Sequence, residues 1–246
     1  MLLSKCQVCE RSLAWVLGNG QPAPCQQLEA CQSPMANRSV QIGLLGPFEV
    51  RTDDGVVAEV PGARLRGLLT ALALESGRVV PKATLVDWIW GERPPSDAAN
   101  ALQRLASRLR KALPEGLIEG QPGGYRLTVA PDAVDALRFE RLLAQARQAA
   151  GPGRVRLLRE ALALWRGAAM QDVALEDSEA FNAAVTRLEG LRLTAMEDRF
   201  EAEVSLGQGV EVVAELTDAA TAHPLPRCAR SGRCALCRRH LALKAR

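Results

Sequence analysis

Six polar side chains between Asp97 and Leu113 have the types and spacing to hold a nucleic acid: Asn100, Gln103, Arg104, Ser107, Arg108 and Lys111, with Arg110 at their edge. Leu102, Leu105, Leu109 and Leu113 recur at helical intervals, so one stripe is apolar and the polar set lies opposite. No acidic side chain occurs from Ala98 to Pro114. A solvated helix ordinarily mixes signs, because opposite charges one turn apart stabilise it slightly. Here the mixture is amides, a hydroxyl and cations. Arginine and lysine neutralise phosphates, while asparagine, glutamine and arginine can make paired hydrogen bonds to base edges in a major groove. The plainer alternative is a cationic face that meets only water.

Other chemistries find little to work with. The two histidines, His223 and His240, lie at or beyond the end of the patterned sequence, and no phosphate loop, dinucleotide fingerprint or nucleophile elbow is present. No catalytic residue is expected, and the chain reads as a non-enzyme. Trp88, Trp90 and Trp165 fall on helical stripes and read as core. All seven cysteines stand before residue 32 or after residue 227. Cys6-x-x-Cys9 and Cys234-x-x-Cys237-x-x-His240 have the spacing of thiolate pairs that clamp zinc. They sit at opposite ends of the chain without a patterned scaffold, so neither a metal site nor any other cofactor is expected. No apolar run approaches the roughly 18 residues that span a bilayer, and Leu13–Leu17 is too short for a signal peptide. The expected location is the cytoplasm, with no membrane partner.

The net charge of +3 divides unevenly: +1 over residues 1–38, +1 over 39–130, −6 over 131–225 and +7 over 226–246. Bulk charge therefore says nothing for nucleic acid, and only a local basic surface can.

The elements that must position the polar face begin as strands, Val40–Leu45 and Phe48–Val50, broken by Gly46-Pro47 and followed by the turn Asp53-Asp54-Gly55. Leu65, Leu68, Leu69, Leu72 and Ala73 mark a first helix that Gly77 ends. A second, from about Thr84 to Trp90, carries Leu85, Trp88 and Ile89 and closes at Gly91. Pro94-Pro95 forces a loop, after which Ser96 or Asp97 can cap the polar helix of about 97–113. Leu117–Glu119 and Tyr125–Val129, joined through Gly120-Gln121-Pro122-Gly123-Gly124, read as a hairpin with Tyr125, Leu127 and Val129 inward. A helix-turn-helix plus a glycine-rich hairpin outlines a winged helix. In its wing small residues let backbone approach phosphate, and Arg126 could add a charge contact. The candidate DNA-binding set is thus completed by Gly124, Tyr125 and Arg126.

The second half reads as helices alone. Asp135–Gln148 and Val155–Arg166 are separated by Gly151-Pro152-Gly153, and Val155, Leu158, Leu162 and Trp165 stripe the second of them. A long helix from about Ser178 to Leu206 is apolar on two sides, through Val185, Leu188, Leu191 and Ala195 and then Met196, Phe200 and Val204. Helices of that kind pack between neighbours, as in solenoid repeats. A last helix is expected to about Ala222, after Gly207-Gln208-Gly209.

Several short blocks, in this order, resemble a known family: Leu44-Leu45-Gly46-Pro47-Phe48-Glu49-Val50, Gly77-Arg78-Val79-Val80, Trp90-Gly91, Asn100-Ala101-Leu102-Gln103, Ser107-Arg108-Leu109-Arg110-Lys111 and Gly123-Gly124-Tyr125-Arg126-Leu127. They are similar to the OmpR-type winged helix, and more closely to that of the SARP group, pathway-specific activators of antibiotic clusters in actinobacteria. Ala161–Gly167, Arg187–Arg192 and His223-Pro224-Leu225 resemble the bacterial transcriptional activator domain, which is TPR-like. The resemblance implies a mixed, mainly α fold: a winged helix-turn-helix (α+β) over 39–130, followed by an α-helical TPR-like domain over 131–225, incomplete at its C-terminal end. Residues 1–38 are expected to be a poorly ordered or non-native leader, and 226–246 a disordered basic, Cys-rich tail. The winged helix is expected to fold alone from about residue 38 to 130.

In function, the resemblance implies a sequence-specific, DNA-binding activator of secondary-metabolite genes. The implied partners are double-stranded promoter DNA with tandem direct repeats, RNA polymerase, and a second protomer forming a homodimer on DNA. The alternative is an adaptor whose helical module binds proteins and whose winged helix reads no DNA.

Overall fold

The computed structural model describes residues 40–207 apart from 53 and 176; the cysteine pairs, both histidines and the helix expected up to Ala222 lie outside these residues. Strands β1 (Gln41–Gly43) and β2 (Glu49–Arg51) pair antiparallel, with Ile42 opposite Val50. Helix α1 (Ala63–Leu74) follows, then β3 (Val79–Pro81), α2 (Lys82–Trp90) and α3 (Ala98–Ala112). Strands β4 (Ile118–Gln121) and β5 (Gly124–Leu127) form the hairpin, and β3 joins them to give a three-stranded antiparallel sheet in the order β3-β5-β4. A 3-10 turn (Pro131–Ala133) leads into α4 (Asp135–Gln148), α5 (Gly151–Leu162) and α6 (Glu179–Ser205). This is the expected architecture of a winged helix followed by a helical module.

Three expectations need correction. Helix α2 starts two residues earlier than Thr84, with Pro81 (φ −60°) in the N-cap position. Gly151-Pro152-Gly153 does not separate two helices but is the first turn of α5. A proline there gives up an N–H that has no helical acceptor in any case, and its fixed φ suits the turn. At the other end α5 stops at Leu162, so Trp165 lies beyond it. The Trp165 ring meets Phe139 edge-on at 5.4 Å and lies under the Arg192 guanidinium at 4.6 Å.

The described residues belong to one compact unit. A continuous apolar cluster runs from Ile42, Leu44 and Leu45 through Leu68, Leu102 and Leu127 to Phe139, Leu158 and Leu188. The join is built at two places. At the first, the Asp135 carboxylate accepts the amides of Leu44 (2.7 Å) and Leu45 (3.0 Å), while the amides of Arg166 and Met170 donate to the carbonyls of Leu45 (2.7 Å) and Leu44 (2.8 Å). At the second, Leu175 fills the space over Gly67 of α1, where a Cβ would stand 2.3 Å from its Cδ1, and Trp88 of α2 meets Phe181 of α6 edge-on at 6.3 Å.

Burial pushes the Asp135 carboxyl above its ordinary value of 3.8, against the downward pull of the Leu44 and Leu45 amides and of Arg166. Leu44 and Leu45 are fully buried, so Asp135→Ala should leave two buried donors without acceptors, at about 1–3 kcal/mol each. The native carboxyl binds its proton more tightly than the unfolded chain does. Its titration therefore favours folding most when protonated, and that contribution is lost as pH rises through the raised value. Asp135→Asn should flatten this slope, and denaturant melts from about pH 4 to about pH 7 measure both effects.

Candidate nucleic-acid interface

Helix α3 is positioned by its apolar side. Leu102, Ala106 and Leu109 are buried, Leu113 just past its end is also buried, and Leu105 packs against the same core. Asp97 is the residue that caps it, its Oδ1 accepting the Asn100 amide at 3.0 Å. Asn100, Gln103, Arg104, Ser107, Arg108, Arg110 and Lys111 are all exposed, as their spacing requires once the leucine stripe faces inward. The alanine at 106, which the leucine count passed over, completes the buried face.

The cations of this face differ in their attachments. Arg104, Arg108 and Lys111 take part in no ion pair among the described residues. In the helical module, by contrast, Arg138, Arg141, Arg154, Arg159, Arg187 and Arg192 each sit against a carboxylate. Arg110 is tied to the wing: its Nε donates to the Ile118 carbonyl at 3.0 Å, and its guanidinium lies over the Tyr125 ring at 5.6 Å. It fixes the hairpin to α3 and is only partly available to a ligand.

The wing residues stand differently from the expectation. Arg126 lies directly across from Glu119 in the β4–β5 register and pairs with it at 2.5 Å. That hydrogen bond holds the Glu119 carboxyl below its usual range, and the arginine's charge is partly met. Tyr125 is 7% exposed, and Gly124 is buried between Pro81 of β3 and Gln121 of β4. Both belong to the interior of the sheet rather than its contact surface. The physical reason is that β5 is the central strand: with neighbours on both edges, its backbone is fully engaged. The exposed tip is Pro122-Gly123.

Lys82 was not among the expected residues. It is exposed and in no ion pair among the described residues, and its amide donates to the Gly123 carbonyl at 3.2 Å, so α2 begins at the wing turn with a cation. The available signal was its place directly after a strand-ending proline.

Among the described residues there is no cluster of three or more histidine, cysteine, aspartate or glutamate side chains that could hold a metal. No helix described is long and apolar enough to cross a membrane.

A helix-turn-helix whose second helix is exposed along one cationic face, backed by a three-stranded sheet with a hairpin wing, defines a winged-helix regulator. The family described as "Transcriptional regulatory protein, C terminal" matches residues 62–127, and that described as "Bacterial transcriptional activator domain" matches 134–234, past the point near 225 where the resemblance was expected to end. The transcriptional regulator RedD of Streptomyces coelicolor is 36% identical, over 76% of this chain and 55% of its own length. The regulatory protein DnrI of Streptomyces peucetius is 32% identical, over 76% of this chain and 73% of its own. The regulatory protein AfsR of Streptomyces coelicolor is 35% identical over 76% of this chain, which spans only 19% of it. Among solved structures, Mycobacterium tuberculosis EmbR in complex with a low-affinity phosphopeptide superposes with a TM-score of 0.69 at 30% identity, over 76% of this chain and 52% of that one. The chain belongs to the SARP-type family of bacterial transcriptional activators.

Proposed function

We propose that the chain is a sequence-specific DNA-binding activator that lays α3 in the major groove of promoter DNA and carries out no catalytic step. The observation that carries this reading is the outward face of α3: seven exposed polar side chains, no carboxylate among them, and three cations in no ion pair among the described residues. An α-helix of about 10–12 Å diameter fits a major groove about 12 Å wide. The wing tip and Lys82 are placed to meet the adjoining backbone. Winged helices read short half-sites, so the reading extends to tandem direct repeats occupied by two protomers. The helical module would join them and offer its surface to RNA polymerase, at secondary-metabolite promoters in the cytoplasm.

The test is binding of the whole chain to labelled promoter fragments from its own gene neighbourhood, titrated against salt and against unrelated DNA. The expected result is a preference for one fragment of about 10³-fold or more over unrelated sequence. Affinity should fall with salt at a log–log slope of about −0.9 for each phosphate neutralised. Equal binding to every fragment would refute the reading and favour a protein-binding adaptor.

A further inference from the structure

We infer that the exposed face of α3 is divided by function: Asn100 and Arg104 read bases, an adenine and a guanine, while Arg108 and Lys111 hold phosphates. The inference rests on the DNA-binding reading above and goes beyond it in saying which side chains set the sequence.

The division follows from the angle each side chain makes with the buried side of the helix. Taking about 100° per residue, Asn100, Arg104 and Lys111 lie within roughly 30° of the direction opposite Leu102, Ala106 and Leu109. Ser107 and Arg108 lie about 50° to either side of it, and Gln103 and Arg110 about 90–110° round. The Gln103 flank is the wing side, because Arg110 is bonded there to the Ile118 carbonyl. The central stripe therefore points at the groove floor and the flanks at its walls.

Position along the helix then separates the members of the stripe. In helix-turn-helix docking the N-terminal residues of the second helix reach base edges. Asn100 lies in the first turn of α3 and Arg104 in the second, whereas Lys111 is the penultimate residue. Lys111 stands about 16 Å further along the axis than Asn100, too far to share the same few base pairs. Chemistry agrees with position. An asparagine amide makes two hydrogen bonds to adenine N6 and N7, and a guanidinium makes two to guanine O6 and N7. A lysine ammonium is a point charge suited to phosphate. Asn100 and Arg104 are about 6 Å apart along the axis, less than two base-pair steps of about 3.4 Å. The adenine and the guanine should thus fall within two steps of each other. Ser107, short and on the wing-side flank of the stripe, lets the helix approach closely.

The experiment is selection of bound sequences from a randomised half-site by the whole chain and by single variants, with the salt slope measured for each. Arg104→Ala and Arg104→Lys should both lose one guanine preference, by about 5- to 150-fold, and Asn100→Ala one adenine preference of similar size. Arg104→Lys keeps the charge, so its slope should match that of the parent. Arg108→Ala and Lys111→Ala should leave the selected sequence unchanged and reduce the slope by about 0.9 each. The inference is overturned if Arg104→Lys retains the full preference, or if Arg108→Ala changes the selected sequence. A parent chain that selects no sequence at all refutes the DNA-binding reading itself, a separate result.

Discussion

A chain covering residues 38–130 should lose the β1–β2 sheet and most of its stability, while 38–246 should lose both halves in one cooperative transition. Four backbone hydrogen bonds of the segment Leu44–Leu45 cross to the helical module, two to the Asp135 carboxylate and two from the amides of Arg166 and Met170. Cutting at 130 returns those groups to water, at a net cost of about 0.5–1.5 kcal/mol each. It also bares Leu44, Leu45 and the surface of α1 that Leu175 covers, where each large side chain returned to water costs about 1.5–3 kcal/mol. The total is comparable with the whole stability of a domain of about 90 residues, about 5–10 kcal/mol. Calorimetry of the two chains decides the matter, with agreement of calorimetric and van't Hoff enthalpies for the longer one as the mark of a single transition. A 38–130 chain that melts sharply at the temperature of the longer one would show that the junction is dispensable.

Gly124→Ala should damage the fold of the DNA-binding half far more than any substitution on the outward face of α3. A Cβ at 124 would stand 1.9 Å from the Val80 carbonyl oxygen and 2.7 Å from its carbon, both of them backbone atoms of β3. Backbone in a paired strand cannot swing aside as a side-chain tip can, so β3 must separate from β5 at the Val80–Tyr125 and Pro81–Gly124 pairs. Overpacking of this severity costs about 3 kcal/mol or more. The expected observation is a large drop in the denaturant midpoint, with hydrogen exchange quickened across β3 and β5. If Gly124 instead acted by letting DNA backbone approach, the alanine variant would keep its stability and lose only affinity.

The exposed polar face of α3 was legible because two signals agreed: leucines at helical spacing fixed the inward side, and the lack of acid from 98 to 114 marked the other. The winged architecture was legible for a similar reason, since each turn carried glycine or proline. What could not be read depended on chain far away. The hairpin looked like a two-stranded wing with Tyr125 on its inner side, and only the pairing of Val79–Pro81 with β5 shows that Gly124 is interior as well. Gly151-Pro152-Gly153 has the composition of a loop and equally that of a helix's first turn, and α4 and α5 packing together favours the turn. The junction left no local signal at all: Asp135 is separated from Leu44 by 91 positions, and a carboxylate at the start of a helix looks like any other.

The small gap over Gly67 that Leu175 occupies bears on how specificity can be exchanged among relatives. A hybrid that joins the first half of one parent to the second half of another, at the short segment near residue 130, sets one parent's glycine against the other's side chain at 175. It also sets one parent's 44–45 backbone against the other's Asp135 and 166–170 turn. Mismatch at either place disturbs the interior of both halves at once, so the two are expected to be inherited as a unit and to recombine poorly. Arg110 apart, which is tied to the wing, the cations on the outward face of α3 are in no ion pair among the described residues and can change without disturbing the interior. New operators should therefore arise by point changes at a handful of surface positions, and transplanting those positions is the economical way to redirect the protein.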